Sequence, residues 1–301
     1  MDSPASGPAH GRSRPPSPDA PPILIRDLRK RYRDTAAVRG LSFHVDAGHV
    51  LGLVGPNGAG KTTTMRCACG IIPPSSGSVS IAGNDVASDP VAAKRELAFV
   101  PDDPRLFDSL TVWEHLHFTA SAYRVPAHEW PARADGLLAQ FELTEQKHTI
   151  AQELSRGMRQ KTAICCAYLH RPRAIWLDEP LTGLDPRGIR TMKDSLRRLA
   201  SQGAAVVISS HLLALVEDIC TDLLVLHRGQ SLFFGSLEQA WAERSAFGDA
   251  TLESFFFRLT EGDRDSRSAA AVTAGPASDG VRGGSAEPGS PQGPGHPRAP
   301  Q

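Results

Sequence analysis

The chain has 301 residues, with 33 Lys plus Arg balanced by 33 Asp plus Glu. At about 150 residues per domain, that length predicts one large or two small domains. Balanced charge excludes nucleic-acid binding through a bulk positive field, so no nucleic-acid partner is expected, although a local phosphate site stays open. No apolar run reaches the roughly 18 residues of a spanning helix. The start, Met1 to Pro22, has no apolar core of the kind a signal peptide needs. A cytoplasmic protein, free or held at a membrane by a partner, is expected. Cysteines at 67, 69, 165, 166 and 220 make no C-x-x-C pair, and adjacent or i,i+2 spacing suits neither zinc nor a disulfide. They read as small buried side chains in a reducing compartment.

Composition divides the chain in three. Residues 1–22 hold seven prolines and no Leu, Ile, Val or Phe, while residues 261–301 hold eight Gly and six Pro. Neither segment can bury enough apolar surface to offset ordering entropy, which predicts disorder at both ends. The span 23–260 is long enough for a large core.

In chain order, Val50 to Val54 is an unbroken apolar run that suits a strand covered on both faces, and a helix is expected from Lys61. The stretch 101–170 carries little strand signal and predicts a helical insert. Thr111-Val112-Trp113-Glu114 reads as a capping box opening a helix to about Tyr123. Pro131 starts a second helix and Ser155 a third. Apolar runs return at Ala174 to Leu177 and Ala204 to Ile208, followed by helices from Pro186 and Leu212. This alternation marks a parallel α/β sheet. A hairpin follows, Leu223 to Leu226, a turn at Arg228-Gly229-Gln230, and Ser231 to Phe234. Two amphipathic helices near 236–244 and 251–259 close the fold.

Gly55-Pro56-Asn57-Gly58-Ala59-Gly60-Lys61-Thr62 fits G-x-x-x-x-G-K-[ST] directly after a strand and at a helix start. Glycines let successive N–H groups wrap phosphates, and the helix N-terminus adds its dipole. Lys61 is expected on the β- and γ-phosphates and the Thr62 hydroxyl on Mg²⁺. A second anchor stands at the end of an apolar strand. Asp178 is expected to hold Mg²⁺ through water, and Glu179, one residue on, points elsewhere and can polarise an attacking water.

With these residues in place, the sequence resembles the ATP-binding subunit of ABC transporters over essentially all of 23–260. Tyr32 precedes the phosphate loop, where the family stacks an aromatic on adenine; the loop itself runs Gly55 to Thr63. Leu154-Ser155-Arg156-Gly157-Met158-Arg159-Gln160-Lys161 looks like the family signature. Asp178-Glu179-Pro180 and the dimer-facing loop Leu181-Thr182-Gly183-Leu184-Asp185-Pro186 follow, and Ser209-Ser210-His211 matches the switch histidine. The resemblance implies a P-loop NTPase of α/β class, with a RecA-like core sheet, an antiparallel β portion and a helical subdomain at about 101–165. The ATPase domain would span 23–235 and the C-terminal helices 236–260. It implies ATP and Mg²⁺ as cofactors, with Glu179 and His211 catalytic. Tyr32, Gly55, Pro56, Asn57, Gly58, Ala59, Gly60, Lys61, Thr62, Thr63, Asp102, Ser155, Gly157 and Asp185 would bind nucleotide, and Thr62, Asp178 and Asp102 would serve the metal.

Two positions depart from the commonest family pattern. Arg156-Gly157 stands where Gly-Gly is usual, and Asp102 stands where Gln usually links the metal to the insert. Partners implied are an integral membrane permease and a second copy of the chain, or a homologous ATPase, which would hold the subunit at the inner face of the membrane. Phe107, Leu110, Trp113 and Tyr123 are candidates for a groove that receives a permease helix, or for the insert's own core. His115 and His117 fit no zinc spacing and are read as surface residues. The signature type, the single cassette and the end Thr251 to Phe256 favour an exporter. Alternatives are a soluble ABC-type ATPase or a nucleotide-gated regulatory module without transport.

Overall fold

The computed structural model describes residues 20–211, 213–246 and 251–260. The expectations of disorder over 1–19 and 261–301, and of a helix start at Leu212, lie outside the described residues. Pro22 is described, and its carbonyl accepts a hydrogen bond from the Ala82 amide.

Six strands build the central sheet: β3 (Val50–Val54), β6 (Leu97–Val100), β7 (Ala174–Asp178), β8 (Ala205–Ser209), β9 (Asp222–His227) and β10 (Gln230–Ser236). Their order is β10-β9-β3-β8-β7-β6. All neighbours are parallel except the β9/β10 hairpin. A second, antiparallel sheet holds β1 (Ile23–Tyr32), β2 (Thr35–Val45), β4 (Ser76–Ile81) and β5 (Asn84–Asp85), in the order β2-β1-β4-β5. The helices are α1 (Lys61–Ala68), α2 (Pro90–Arg95), α3 (Val112–Ala122), α4 (Trp130–Gln140), α5 (Arg156–Leu169), α6 (Pro186–Ser201), α7 (Leu213–Ile219) and α8 (Leu237–Ala246), with α9 over 252–260.

The apolar runs are unbroken because the central strands are buried on both faces. One face turns Val50, Val54, Ile175, Leu177, Val206, Ile208, Leu223 and Val225 into a core shared with α3 to α7. The alternate residues Leu51, Leu53, Trp176, Val207, Leu224 and Leu226 enter a second core. That core is completed by α1 and by Ile23, Ile25, Leu41, Phe43 and Val45 of the antiparallel sheet. Trp176 is fully buried, its ring edge-on to Phe43 at 6.5 Å between centroids.

Local chemistry starts the helices. Thr111 caps α3 with a reciprocal capping box: its hydroxyl accepts from the Glu114 amide, and Glu114 accepts from the Thr111 amide. Ser155 caps α5 by accepting from the Met158 amide, and Asp185 caps α6 by accepting from Gly188. The bonded β10/β9 register and α8 follow the expected end of the chain. All five cysteines are free, and four are buried. Burial pushes the Cys69, Cys165 and Cys220 thiols well up, and Cys166 up to about 11.

One reading is corrected. His115 is buried, not a surface residue. Its Nε2 accepts from the Phe107 amide at 2.9 Å and its Nδ1 donates to the Thr111 carbonyl at 2.8 Å. Both ring nitrogens are thus satisfied by main chain, and the imidazole ties the 101–110 segment to α3. His117 is exposed and stacks on Trp130.

The buried Trp176 Nε1 has no hydrogen-bond partner among the described residues. Replacing the indole by a benzene ring therefore breaks no bond. Urea unfolding should show Trp176→Ala losing about 3–5 kcal/mol and Trp176→Phe losing less than half of that. Equal losses would show that the indole nitrogen is paired.

Candidate active site

The carboxyl ends of β3, β7 and β8 converge, and the site forms where they end. From β3 the chain enters the loop 55–60 and then α1. Two of its glycines are sterically required. A Cβ on Gly55 would lie 2.3 Å from the Leu226 carbonyl oxygen, and one on Gly60 would lie 2.6 Å from that of Ala37. Gly60 also has φ +106°, a conformation that costs L side chains strain. The loop is therefore pressed between β9 and β2, and its amides are shaped by backbone packing rather than by side chains.

Lys61 opens α1 and folds back over the loop. Its Nζ donates to the Gly55 carbonyl at 2.6 Å and to that of Pro56 at 3.3 Å. Partial burial lowers its pKa, and the charges of Glu179 and Asp178 push the other way. The next residue, Thr62, donates its hydroxyl to Asp178 Oδ2 at 3.1 Å. Two elements distant in sequence, the first turn of α1 and the end of β7, meet in this contact.

Asp178 is buried. Its other oxygen accepts from the Ser209 hydroxyl, a very short contact. The same hydroxyl oxygen accepts from the Glu179 amide at 3.0 Å. Ser209 thus ties β8 to both acids. Glu179 has φ +47°, a left-handed conformation rare outside glycine. That turn sends its carboxylate away from Asp178 and toward His211, whose Nδ1 lies 2.8 Å from Glu179 Oε2. Burial raises the Glu179 pKa, while the neighbouring His211 and then Lys61 lower it.

The donor set fits a nucleotide with a hard divalent cation. One hydroxyl and one carboxylate stand together at the first turn of a helix, beside a lysine and a ring of loop amides. Among the described residues no cluster of three or more His, Cys, Asp or Glu could hold a metal by itself. A cation here would share its shell with phosphate oxygens and water, as Mg²⁺ does.

The remaining candidates stand apart from this cluster. Tyr32 is exposed at the end of β1, with Lys30 Nζ 5.2 Å from its ring centre. Ser155 and Gly157 begin α5 and line a second cavity with Lys161 and Gly183 to Asp185. A Cβ on Gly157 would come within 2.8 Å of the Gly183 carbonyl oxygen. Asp102 lies beyond β6, its Oδ1 3.5 Å from Arg156 Nη2. Of the four groove candidates, Phe107 and Tyr123 line a cavity of about 290 Å³ with Phe99, Phe118 and His170. Trp113 instead packs against Trp130 with the rings tilted at 46°, and carries Lys147 Nζ 3.6 Å from its ring centre.

Sequence reasoning named Ser209 only as part of a motif and missed its bridging role. The available signal is a hydroxyl at the last position of an apolar strand. Ser209→Ala leaves the buried Asp178 carboxylate short of a donor, which should cost about 1–3 kcal/mol in urea unfolding. An unchanged midpoint would show that the bridge contributes nothing.

The family model for ABC transporters matches residues 38–182. The ABC-type transporter ATP-binding protein EcsA of Bacillus subtilis (strain 168) is 34% identical over 243 residues, 80% of this chain and 97% of that protein. The Nod factor export ATP-binding protein I of Burkholderia thailandensis is 37% identical over 215 residues, 71% of each chain. A solved ATP-binding subunit of an ABC transporter superposes with a TM-score of 0.75 at 33% identity, covering 79% of this chain and 98% of that one. The phosphate loop is built against β9 and β2, Ser209 joins the acid pair, and both EcsA and the solved subunit are matched along nearly their full length, so the chain belongs to the ABC transporter family, as an ATP-binding subunit.

Proposed function

We propose that this ATPase subunit drives export through a separate integral membrane permease, held by that partner at the inner face of the membrane. No helix among the described residues is long and apolar enough to cross a membrane itself. The observation that carries the catalytic part is the contact set Thr62–Asp178–Ser209–Glu179–His211, which joins three strand ends at one point.

In this reading Lys61 exchanges its carbonyl partners, Gly55 and Pro56, for β- and γ-phosphate oxygens of ATP. The amides of Pro56 to Thr63 other than proline's surround the phosphates, and Tyr32 packs on the adenine. Thr62 and Asp178 would hold Mg²⁺, and Asp102 would serve it from the segment after β6. When bound, Mg²⁺ neutralises charge on the phosphate oxygens. Glu179 takes the proton of the water that attacks the γ-phosphorus, and ADP leaves. His211 holds Glu179 and the water in line. Ser155 and Gly157 meet the γ-phosphate of a second copy, and Asp185 lies in the loop facing that copy. A phosphate loop and a signature on one chain then require a two-fold pair.

The groove at Phe107 and Tyr123 supports the permease reading. Phe107 and Phe118 are 56% and 55% exposed, an uncovered aromatic pair at 5.6 Å between centroids. A short apolar helix from the permease would bury them. The domain division proposed is an ATPase unit over 23–235, with 101–165 as the part that receives the permease. The relative from Burkholderia thailandensis is named for Nod factor export; for this chain we propose export without naming the cargo.

Lys61→Ala and Glu179→Gln should fail in opposite ways. The first removes the cation nearest the phosphates and should weaken ATP binding. The second keeps shape and removes the base, lowering turnover by about 10²–10⁴ while binding survives. Turnover near that of the unsubstituted chain in Glu179→Gln would remove Glu179 from the role of base. Light scattering should show Glu179→Gln as a dimer in ATP with Mg²⁺ and as a monomer or weak dimer without nucleotide. A mass independent of nucleotide would count against the paired mechanism.

A further inference from the structure

The first turn of α5 carries basic residues, Arg156 and Arg159, and no acidic one. A helix N-terminus is the end at which cations are disfavoured. Each arginine is answered by an aspartate from the segment after β6. Arg156 Nη2 lies 3.5 Å from Asp102 Oδ1, and Arg159 Nη2 lies 3.6 Å from Asp108 Oδ1. The stem of Arg156 also runs along Gly183, where a Cβ would meet its Cδ at 3.3 Å and its Cγ at 3.4 Å. One side chain therefore reaches from the start of α5 to the loops after β6 and β7. Val100 is paired with Leu177, so Asp102 follows β6 at the sheet edge where β7 ends in Asp178. The two positions that depart from the usual family pattern carry opposite charges and touch each other.

We propose that Asp102 and Arg156 act as a positioning pair, setting where the start of α5, with Ser155 and Gly157, stands relative to the carboxyl edge of the sheet. Its effect on turnover rests on the ATPase reading above; the contact itself does not. Both side chains are about half exposed, at 60% and 49%, so the pair adds little to global stability. Its work is geometric. Asp102 holds the arginine that would otherwise oppose the dipole of α5, and Arg156 fixes the direction of Asp102. A neutral residue at 102 leaves Arg156 opposing the dipole of α5, and a neutral residue at 156 removes the side chain that ties α5 to the loops after β6 and β7; either change loosens the first turn of α5.

The test uses the full chain without nucleotide or metal. Hydrogen exchange is followed in the peptide 155–161, which includes the Arg159 amide bonded to the Ser155 carbonyl at 2.9 Å. Asp102→Asn and Arg156→Gln should each speed exchange about two- to five-fold, the range of an exposed ion pair. The double variant should exchange no faster than either single one. The chain with Asp102→Arg and Arg156→Asp should return near the starting rate, with the melting temperature unchanged throughout. With ATP and Mg²⁺, Arg156→Gln should lower kcat several-fold and leave KM in place, because Lys61 and the loop amides hold the nucleotide. Unchanged exchange in the single variants, or single effects that multiply in the double, would overturn the pair. Absence of ATP turnover in the unsubstituted chain would defeat the ATPase reading alone, because the exchange measurements contain no nucleotide.

Discussion

The site depends on one hydroxyl. Ser209 donates to Asp178 and accepts from the Glu179 amide, so β8 holds both acids at the end of β7. A buried carboxylate without donors is costly, which makes this bridge a condition for placing Asp178 under Thr62. The left-handed turn at Glu179 is tolerated for the same reason, since the amide of the strained residue is anchored. Lys61, Thr62 and His211 then reach the same point from α1 and from the end of β8.

Much of this was legible in the sequence because its signals are local. Strands β3, β7 and β8 appear as apolar runs, since parallel strands covered on both faces need no polar side. The start of α3 was legible from Thr111 and Glu114, and that of α6 from Pro186. The phosphate loop carried its own geometry in its glycines.

What was not legible is non-local. Strand β1 breaks its alternation between Ile25 and Leu28, where the pairing register shifts and Asp27 takes φ +44°. A period-two reading fails at such a bulge. The burial of His115 depends on two main-chain partners that only the folded 101–110 segment supplies. Phe107 and Trp113 look alike in sequence, yet one stays uncovered and the other is half-buried beneath a lysine and beside a second indole. The Asp102–Arg156 contact joins positions 54 residues apart, beyond any local pattern.

The double-sided central sheet has a consequence for how such a chain can change over evolutionary time. Along β7 the parity of residue number decides which core receives each side chain: Ile175 and Leu177 go to the helices, Trp176 to the antiparallel sheet. Inserting or deleting one codon there would invert this assignment and drive the indole into the helical layer. The same slip would turn Asp178, the last residue of the strand, to the opposite face. Length within β7 is therefore fixed by two hydrophobic layers and by the placing of Asp178 against Thr62 and Ser209 at once. Drift in length is confined to connections that answer to none of the three.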